Sequence, residues 1–299
     1  MKISGFSFAR NADLLYYPVA EAIESILPIC DEFIIAVGRG DDSDRTREKI
    51  ETIGSPKIRI IDTVWSERDK LKGRIHGRQT NIALEQCSGD WCFYIQADEV
   101  LHERYLPVVK ARCAELLDND TVEGLLFDYK HFWGDYDHYI VSHAWYPREI
   151  RIVRNGRGIR SWGSAQSFRR NGKKLAVADS RAEIFHYGWV RPPELMNAKR
   201  REFATTHRGA QWVRDHYGEM PAEFDYGSLE KLRVYGGSCP RVMEKRVSEM
   251  SWRDKLQYKG RSKTRHKHEL TKYRILTALE RLCGGRQLGG FKNYRLLKV

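Results

Sequence analysis

Over roughly the first 120 residues, short apolar runs alternate with segments of helical periodicity. The predicted strands are 3–8, 32–37, 57–62 and 91–96, and the predicted helices are 13–26, 45–53, 74–86 and 104–117. In the first of these helices, apolar side chains recur at the spacing that places them on one face. This strand–helix order predicts an α/β fold with a mostly parallel central sheet and helices on both faces. In such sheets, ligands bind beyond the carboxyl ends of the strands.

The pattern is less regular after about residue 120. Strands are predicted at 122–129, 149–154 and 182–187, and aromatic-rich segments join them. The pair Pro192-Pro193 predicts a helix start, because proline suits the first helical positions, and this helix extends to about Trp212.

These patterns predict a sheet domain over 1–215, in which the pattern changes at about residue 120. A basic, mostly helical extension is expected over 216–299. Cations are densest between 259 and 268.

Composition adds a strong charge bias to this picture. The 299 residues carry a formal net charge of +12, and 41% of them are hydrophobic. The charge indicates an anionic partner, and it leaves nucleotide diphosphates, lipid headgroups, acidic glycans and nucleic acid open. No apolar run approaches the roughly 20 residues that span a bilayer, and the first residues lack the apolar stretch of a secretory signal. Six cysteines form no CxxC pair. We expect a cytoplasmic protein, with a peripheral position at the inner face of the membrane as an alternative.

The sharpest local signal is a Gln-Ala-Asp-Glu segment at 96–99, where an apolar strand ends in acidic residues. Carboxylate oxygens are the ligands of hard divalent cations, which neutralise a diphosphate. An acidic helix start would have the same composition, because acidic side chains stabilise a helix N-terminus. The residues alone leave both interpretations open.

This segment resembles the Asp-Ala-Asp-Glu region of family 2 glycosyltransferases, whose GT-A fold is a Rossmann-like sheet flanked by helices. The resemblance implies a nucleotide-sugar transferase in which Asp98 binds Mg²⁺ or Mn²⁺. It also implies that about 1–120 is the nucleotide-binding half of the sheet domain and about 121–215 the acceptor half. Gln96, which replaces the usual first Asp, would contact the nucleotide. His186, at the end of a predicted strand, matches a histidine that approaches the metal or the diphosphate in such enzymes. Without the resemblance, a lone histidine beside aromatic residues is more often structural.

Other matches follow the order of the family's motifs. Arg10 and Asn11, just after the first strand, resemble the turn that surrounds the nucleotide. Asp44 lies in a polar loop after the second strand that resembles the family's Asp-and-Thr-containing loop. Arg78 and Asn81, at the start of the helix before the acidic segment, resemble residues that contact nucleotide and phosphate, in keeping with the affinity of helix N-termini and arginine for phosphate. The alternatives are a helix-capping turn and a solvated basic helix start.

The catalytic base has no clear match. An inverting transferase needs a carboxylate that accepts the proton of the acceptor hydroxyl. Relatives have a His-Glu pair after an Arg-rich strand, but Ser-Ala-Gln stands at 164–166 in this chain. We therefore consider Asp135 and Asp137, in an aromatic loop, and Glu149, at the start of a predicted strand. A surface loop with packed aromatic residues is the alternative for the first two.

The resemblance implies a hexosyltransferase that moves a sugar from a nucleotide donor to a glycan or lipid-linked acceptor hydroxyl, with inversion, in cell-surface polysaccharide biosynthesis. The basic extension would then contact an anionic membrane or a polyanionic acceptor, or simply be solvated. A nucleotidyltransferase is the enzymatic alternative, although the glycine-rich loop it needs after the first strand is missing. A non-catalytic polyanion-binding or nucleic-acid-binding protein would fit the charge, but we find no nucleic-acid-binding motif and expect no nucleic acid partner.

Overall fold

A computed structural model describes residues 1–66, 74–217, 221–285, 287–290 and 292–299. Its strands are β1 (Ile3–Ala9), β2 (Glu32–Gly38), β3 (Ile58–Thr63), β4 (Trp91–Tyr94), β5 (Glu99–Leu101), β6 (Gly124–Trp133), β7 (His138–Ile140), β8 (Arg148–Arg154), β9 (Ile159–Trp162), β10 (Ser167–Arg170), β11 (Lys173–Trp189), β12 (Arg233–Val234) and β13 (Tyr294–Leu296). Its α-helices are α1 (Val19–Ile26), α2 (Thr46–Glu51), α3 (Arg74–Leu84), α4 (Leu106–Glu115), α5 (Pro193–Arg208), α6 (Ala210–Tyr217), α7 (Glu244–Ser248) and α8 (Thr271–Leu282).

The strands form one mixed sheet with the order β3-β2-β1-β4-β8-β6-β11-β10-β9. Strands β3, β2, β1 and β4 pair in parallel, as do β6 and β11. Between them, β8 is antiparallel to both β4 and β6. From β3 to β11 the sheet is therefore mostly parallel, which confirms the predicted α/β class. The carboxyl ends of β1, β2 and β4 consequently lie at one edge of the sheet.

Helices cover both faces of this sheet and bury it between two apolar layers. Val19 and Ile23 of α1 and Val109 of α4 belong to one layer. Ala83 and Leu84 of α3 belong to the other. The central strands are buried on both faces, which explains why they are continuous apolar runs rather than alternating ones.

The first helix begins later than its apolar periodicity indicates. The predicted start at position 13 is wrong, because α1 begins at Val19 and the preceding segment forms turns. Pro18 occupies the N-cap position. Proline disfavours helical backbone in the residue before it, so the helix cannot extend upstream. Asn11 and Tyr16, in the segment before the helix, have left-handed backbones with φ of 52° and 57°.

The second half of the sheet contains more strand than the sequence predicts. The strand predicted at 182–187 is the end of the longer β11, which pairs with β5, β6, β10 and β13. The short strands β5, β7, β12 and β13 have two or three residues each. Segments of this length carry too few positions for a detectable period. The pairing of β5 with β11 places His186 opposite Glu99.

The basic extension is less helical than predicted. Its described residues contain α7, α8 and 3-10 turns at 241–243, 253–255 and 267–269, joined by irregular segments. Buried side chains along these segments pack on a third apolar cluster with the ends of β6 and β11. They include Phe224, Leu229, Met243 and Trp252. Because tertiary contacts bury these residues one by one, a regular helical face is not needed here.

Candidate active site

A cleft of about 460 Å³ opens at the carboxyl edge of the sheet. The end of β1, the segment after β4, the end of β11, the loop before β8 and helix α5 all line it. Four of the residues singled out in the sequence lie here: Arg10, Gln96, Asp98 and His186. The cleft is therefore the candidate active site.

Asp98 lies in the wall of this cleft with its side chain 13% exposed. Its Oδ2 is 3.6 Å from His186 Nε2 and 3.6 Å from Lys199 Nζ. Burial on its own would raise the pKa of this carboxyl, but the neighbouring His186, followed by Lys199 and Arg191, lowers the pKa well below its ordinary value. Asp98 is therefore ionised at neutral pH and attracts cations.

A second histidine orients His186. His131 Nδ1 lies 2.9 Å from His186 Nδ1, and His131 Nε2 lies 2.8 Å from the carbonyl oxygen of Tyr146. A carbonyl oxygen only accepts, so His131 donates from Nε2 and accepts at Nδ1. Burial, followed by the effect of His186, lowers the pKa of His131 to about 3, which keeps the ring neutral. His186 therefore donates from Nδ1 and presents Nε2 to Asp98.

The space beside Asp98 and His186 fits a divalent cation. A Cβ atom on Gly188 would lie 2.6 Å from His186 Nε2 and 2.8 Å from Asp98 Oδ2, so glycine leaves this space open. No group of three or more His, Cys, Asp or Glu side chains in the described ranges could hold a metal. Mg²⁺ is commonly held by one or two carboxylates, with substrate phosphates and water as its other ligands. The two side chains suit that arrangement.

Glu99 anchors the acidic segment rather than starting a helix. Its carboxylate accepts hydrogen bonds from Arg151 at 2.8 and 2.7 Å, from the Tyr129 hydroxyl at 2.8 Å and from the Gln96 amide at 3.1 Å. Glu99 and Arg151 are both fully buried. This two-pronged ion pair ties the segment to β8 and fixes Asp98 at the cleft.

Arg10 is the cation at the end of β1. Its Nε donates to the carbonyl of Arg39 at 2.9 Å, and its guanidinium forms an ion pair with Glu202. It also lies over the ring of Trp65, 5.2 Å from the centroid. Arg10 therefore joins the second-strand loop to helix α5 across the cleft.

Asn11 and Asp44 hold loops together outside the cleft. The Asn11 side chain accepts from the Asp41 amide at 2.8 Å. Asp44 accepts from the amides of Leu14 at 3.2 Å and Thr46 at 3.3 Å, and it lines a separate groove beyond β2. In this structure, both side chains hold the loops after β1 and β2 together.

The structure places Arg78 and Asn81 in a different groove, between α3 and β9. Asn81 Oδ1 accepts from the Ser161 amide at 2.8 Å. His76, from the same helix, is the residue that reaches the cleft, where its ring stacks on Phe8 with centroids 5.5 Å apart. The sequence analysis selected residues of this helix, but the face of the helix that meets the cleft carries different ones.

The three carboxylates considered as catalytic bases lie outside the cleft lining. Asp135 is fully buried and accepts a hydrogen bond from His138 Nδ1 at 2.9 Å. Burial alone would raise the pKa of Asp135, but the hydrogen bonds from His138 lower the pKa overall. Asp137 pairs with Arg253 at 3.0 Å. Glu149 is buried behind Gln166 and accepts from its amide at 3.0 Å, and burial raises its pKa although Arg151 opposes the shift.

Helix α5 supplies cleft residues that the sequence analysis missed. Lys199, Glu202 and Thr206 follow one another at helical spacing and line the cleft together with Arg200. Burial, reinforced by Arg191, lowers the pKa of Lys199 to about 7, with Asp98 opposing the shift. The helical spacing of these polar residues was visible in the sequence. Which face of α5 meets the cleft was not.

Comparison with known proteins gives weak similarities. No family model and no curated protein matches the chain. A solved structure of glucosyl-3-phosphoglycerate synthase from Mycobacterium tuberculosis, in complex with Mn²⁺, uridine diphosphate and phosphoglyceric acid, is 20% identical over 43% of each chain, with a TM-score of 0.30. Residues 1–349 of S. aureus TarS are 17% identical over 69% of this chain and 65% of that one, with a TM-score of 0.41. The chain thus spans less than two thirds of each of these structures, and similarities of this size do not by themselves assign a family or an activity.

Proposed function

We propose that the chain is a GT-A glycosyltransferase, similar to those of family 2, that transfers a hexosyl group from a nucleotide sugar with the help of Mg²⁺ or Mn²⁺. The observation that carries this proposal is the pair of Asp98 and His186 at the carboxyl edge of the sheet, with open space beside Gly188. An oriented imidazole nitrogen and an ionised carboxylate are suitable ligands for a metal that also binds a diphosphate.

The cleft also holds basic side chains that would meet a diphosphate leaving group. Arg10, Lys199 and Arg200 line it, in addition to the metal ligands. When bound, the metal would neutralise negative charge on the diphosphate. Cationic side chains held in place beforehand stabilise the charge that develops as the leaving group departs.

Aromatic side chains suit the sugar and acceptor side of the cleft. Trp145, Trp189 and Phe203 line it, and Phe203 is 54% exposed. Flat apolar rings pack on the faces of sugars, as aromatic side chains do on other flat apolar partners. These side chains support a glycan or a lipid-linked glycan as acceptor. We place the reaction in cell-surface polysaccharide biosynthesis on the strength of the family resemblance.

We propose Glu202 as the catalytic base of an inverting transfer. Among the described residues that line the cleft, Asp98 and Glu202 are the acidic ones, and Asp98 is the proposed metal ligand. The acceptor oxygen would form a bond to the anomeric carbon while the bond from that carbon to the diphosphate oxygen breaks. The hydroxyl proton would pass to the Glu202 carboxylate.

A thermal-shift panel tests the proposed donor and metal site. Nucleoside diphosphates and nucleotide sugars are added with and without Mn²⁺ to wild type, Asp98→Ala and the control Asp137→Asn, whose side chain lies outside the cleft. We expect metal-dependent stabilisation by one nucleotide, about 2.7 kcal/mol at a hundredfold excess over Kd, in wild type and the control but not in Asp98→Ala.

Other outcomes would favour the alternatives. Stabilisation by nucleoside triphosphates, with none by nucleotide sugars, would favour a nucleotidyltransferase. Salt-dependent binding of polyanions with no nucleotide effect would favour a non-catalytic binding protein.

A further inference from the structure

Exposed cations occupy every second position between 259 and 267. They are Lys259, Arg261, Lys263, Arg265 and Lys267, and we refer to these five side chains as the basic strip. Ser262 and His266, which lie between them, are partly buried, whereas all five cationic side chains are exposed. Such a density of charge is attractive to an anionic surface.

The side chains between these cations hold the strip in place. Ser262 Oγ donates to Glu269 at 2.5 Å and accepts from the Ser228 amide at 2.8 Å. The rings of His266 and Trp133 lie with centroids 4.9 Å apart. These contacts fix the backbone, so that the cations project from a defined surface rather than from a free tail.

Helix α8 follows the strip and exposes apolar side chains to solvent. Ile275, Leu279 and Leu282 are 56%, 44% and 84% exposed, and their spacing places them on one face of the helix. We refer to them as the apolar stripe. Lys272 and Arg274 are exposed beside them. A helix that carries both an exposed apolar stripe and flanking cations is typical of proteins that lie in the interface of a membrane.

The opposite face of α8 docks on a loop that reaches the cleft. His143 donates its amide to Thr277 Oγ1 at 2.9 Å, and its Nδ1 lies 2.7 Å from Glu280 Oε1. The same loop carries Trp145, which lines the cleft. The apolar stripe therefore faces outward on a helix that is attached to a loop of the candidate active site.

We infer that the basic strip and the apolar stripe together form a docking surface for an anionic lipid bilayer. The cations would meet the headgroups, and the apolar side chains would enter the boundary with the acyl chains. A soluble polyanion would pair with the cations but would leave the apolar stripe in water, so a bilayer fits both features. In the described part of the chain no helix is long and apolar enough to cross a membrane. The inference does not depend on the proposed sugar transfer.

Vesicle co-sedimentation of the full chain tests this surface. Vesicles of phosphatidylcholine alone and of phosphatidylcholine with phosphatidylglycerol are compared, and inorganic polyphosphate serves as the soluble polyanion. The variants are Leu279→Gln with Leu282→Gln, and Lys263→Glu with Arg265→Glu. We expect each double variant to bind the anionic vesicles at least about tenfold more weakly than wild type. Only the charge variant should lose affinity for polyphosphate.

A matched control carries the same kinds of change on α4. Val108 and Lys110 are exposed there, and the variant Val108→Gln with Lys110→Glu should bind vesicles like wild type. Thermal melting checks that every variant is folded, and the nucleotide panel is run on the same samples so that the two proposals fail separately. Wild type that does not bind anionic vesicles would overturn the inference. Full vesicle binding by the apolar variant would also overturn it, because charge alone would then account for the binding.

Discussion

At the scale of single residues, the missing side chain of Gly188 determines whether a cation can sit between Asp98 and His186. A Cβ at this position would lie within 2.8 Å of both ligand atoms. The backbone of Gly188 is outside the left-handed region, so alanine would not strain it. We expect Gly188→Ala to weaken Mn²⁺ binding about tenfold or more, as changes next to metal ligands do.

Titration of Mn²⁺ by electron paramagnetic resonance, in the presence of the stabilising nucleotide, measures this effect. Gly236→Ala is the control, because a Cβ there would meet nothing within 4 Å. An unchanged Mn²⁺ affinity in Gly188→Ala would show that the metal lies elsewhere.

Glu202 provides the second prediction at this scale. Glu202→Gln removes the proton acceptor but keeps the size of the side chain, so kcat should fall by about 100-fold or more. The nucleotide-induced thermal shift should persist, because the metal ligands are intact. Asp137→Asn should retain full activity. Turnover of Glu202→Gln at the wild-type rate, or retention of the anomeric configuration seen by nuclear magnetic resonance, would contradict the assignment.

At the scale of elements, the parallel pairing of β6 and β11 places His131 beside His186. The contact fixes the ring of His186 through an Nδ1–Nδ1 hydrogen bond of 2.9 Å. A hydrogen-bond partner on the second nitrogen orients a metal-binding histidine. The strand register thus determines that His186 turns Nε2, rather than Nδ1, towards the cleft.

Replacement of His131 tests this positioning role. His131→Phe keeps an aromatic ring among its aromatic neighbours but removes the acceptor, and Mn²⁺ affinity should fall about 10-fold to 100-fold. His131→Gln retains an acceptor oxygen and should recover part of the affinity. If both variants bind Mn²⁺ like wild type while remaining folded, His131 has a packing role only.

At the scale of the whole molecule, buried histidines link stability to pH. Burial, with a contribution from His207, lowers the pKa of His76 to about 4. Burial, with a contribution from His266, also lowers the pKa of His268 to about 4, against the opposing effect of Glu269. Between pH 6.5 and 4 the unfolded chain therefore binds more protons at these sites than the folded chain does. Stability falls as the pH decreases through this window.

We expect the free energy of unfolding to drop by up to about 1.4 kcal/mol per pH unit for each of these histidines. Urea unfolding at pH values from 7 to 4 measures the slope. His268→Gln should reduce that slope, whereas His216→Gln, at an exposed position, should leave it unchanged. A slope that is the same in His268→Gln and wild type would mean that other groups control the acid sensitivity.

The sequence by itself determined the strands of the parallel half and the position of Asp98 just after the end of one of them. Apolar runs and helical periods are local properties, and a residue that ends a buried strand must lie at the edge of the sheet. The cleft could be anticipated for this reason.

Only the tertiary structure decided which side chains meet in the cleft. Lys199 and Glu202 reach it because of the way α5 is rotated, while Arg78 faces a groove on the other side of α3. Glu99 became a structural anchor because Arg151, 52 positions later, is its buried partner. Contacts of this kind depend on strand register and helix orientation, which long-range packing sets and which no local pattern encodes.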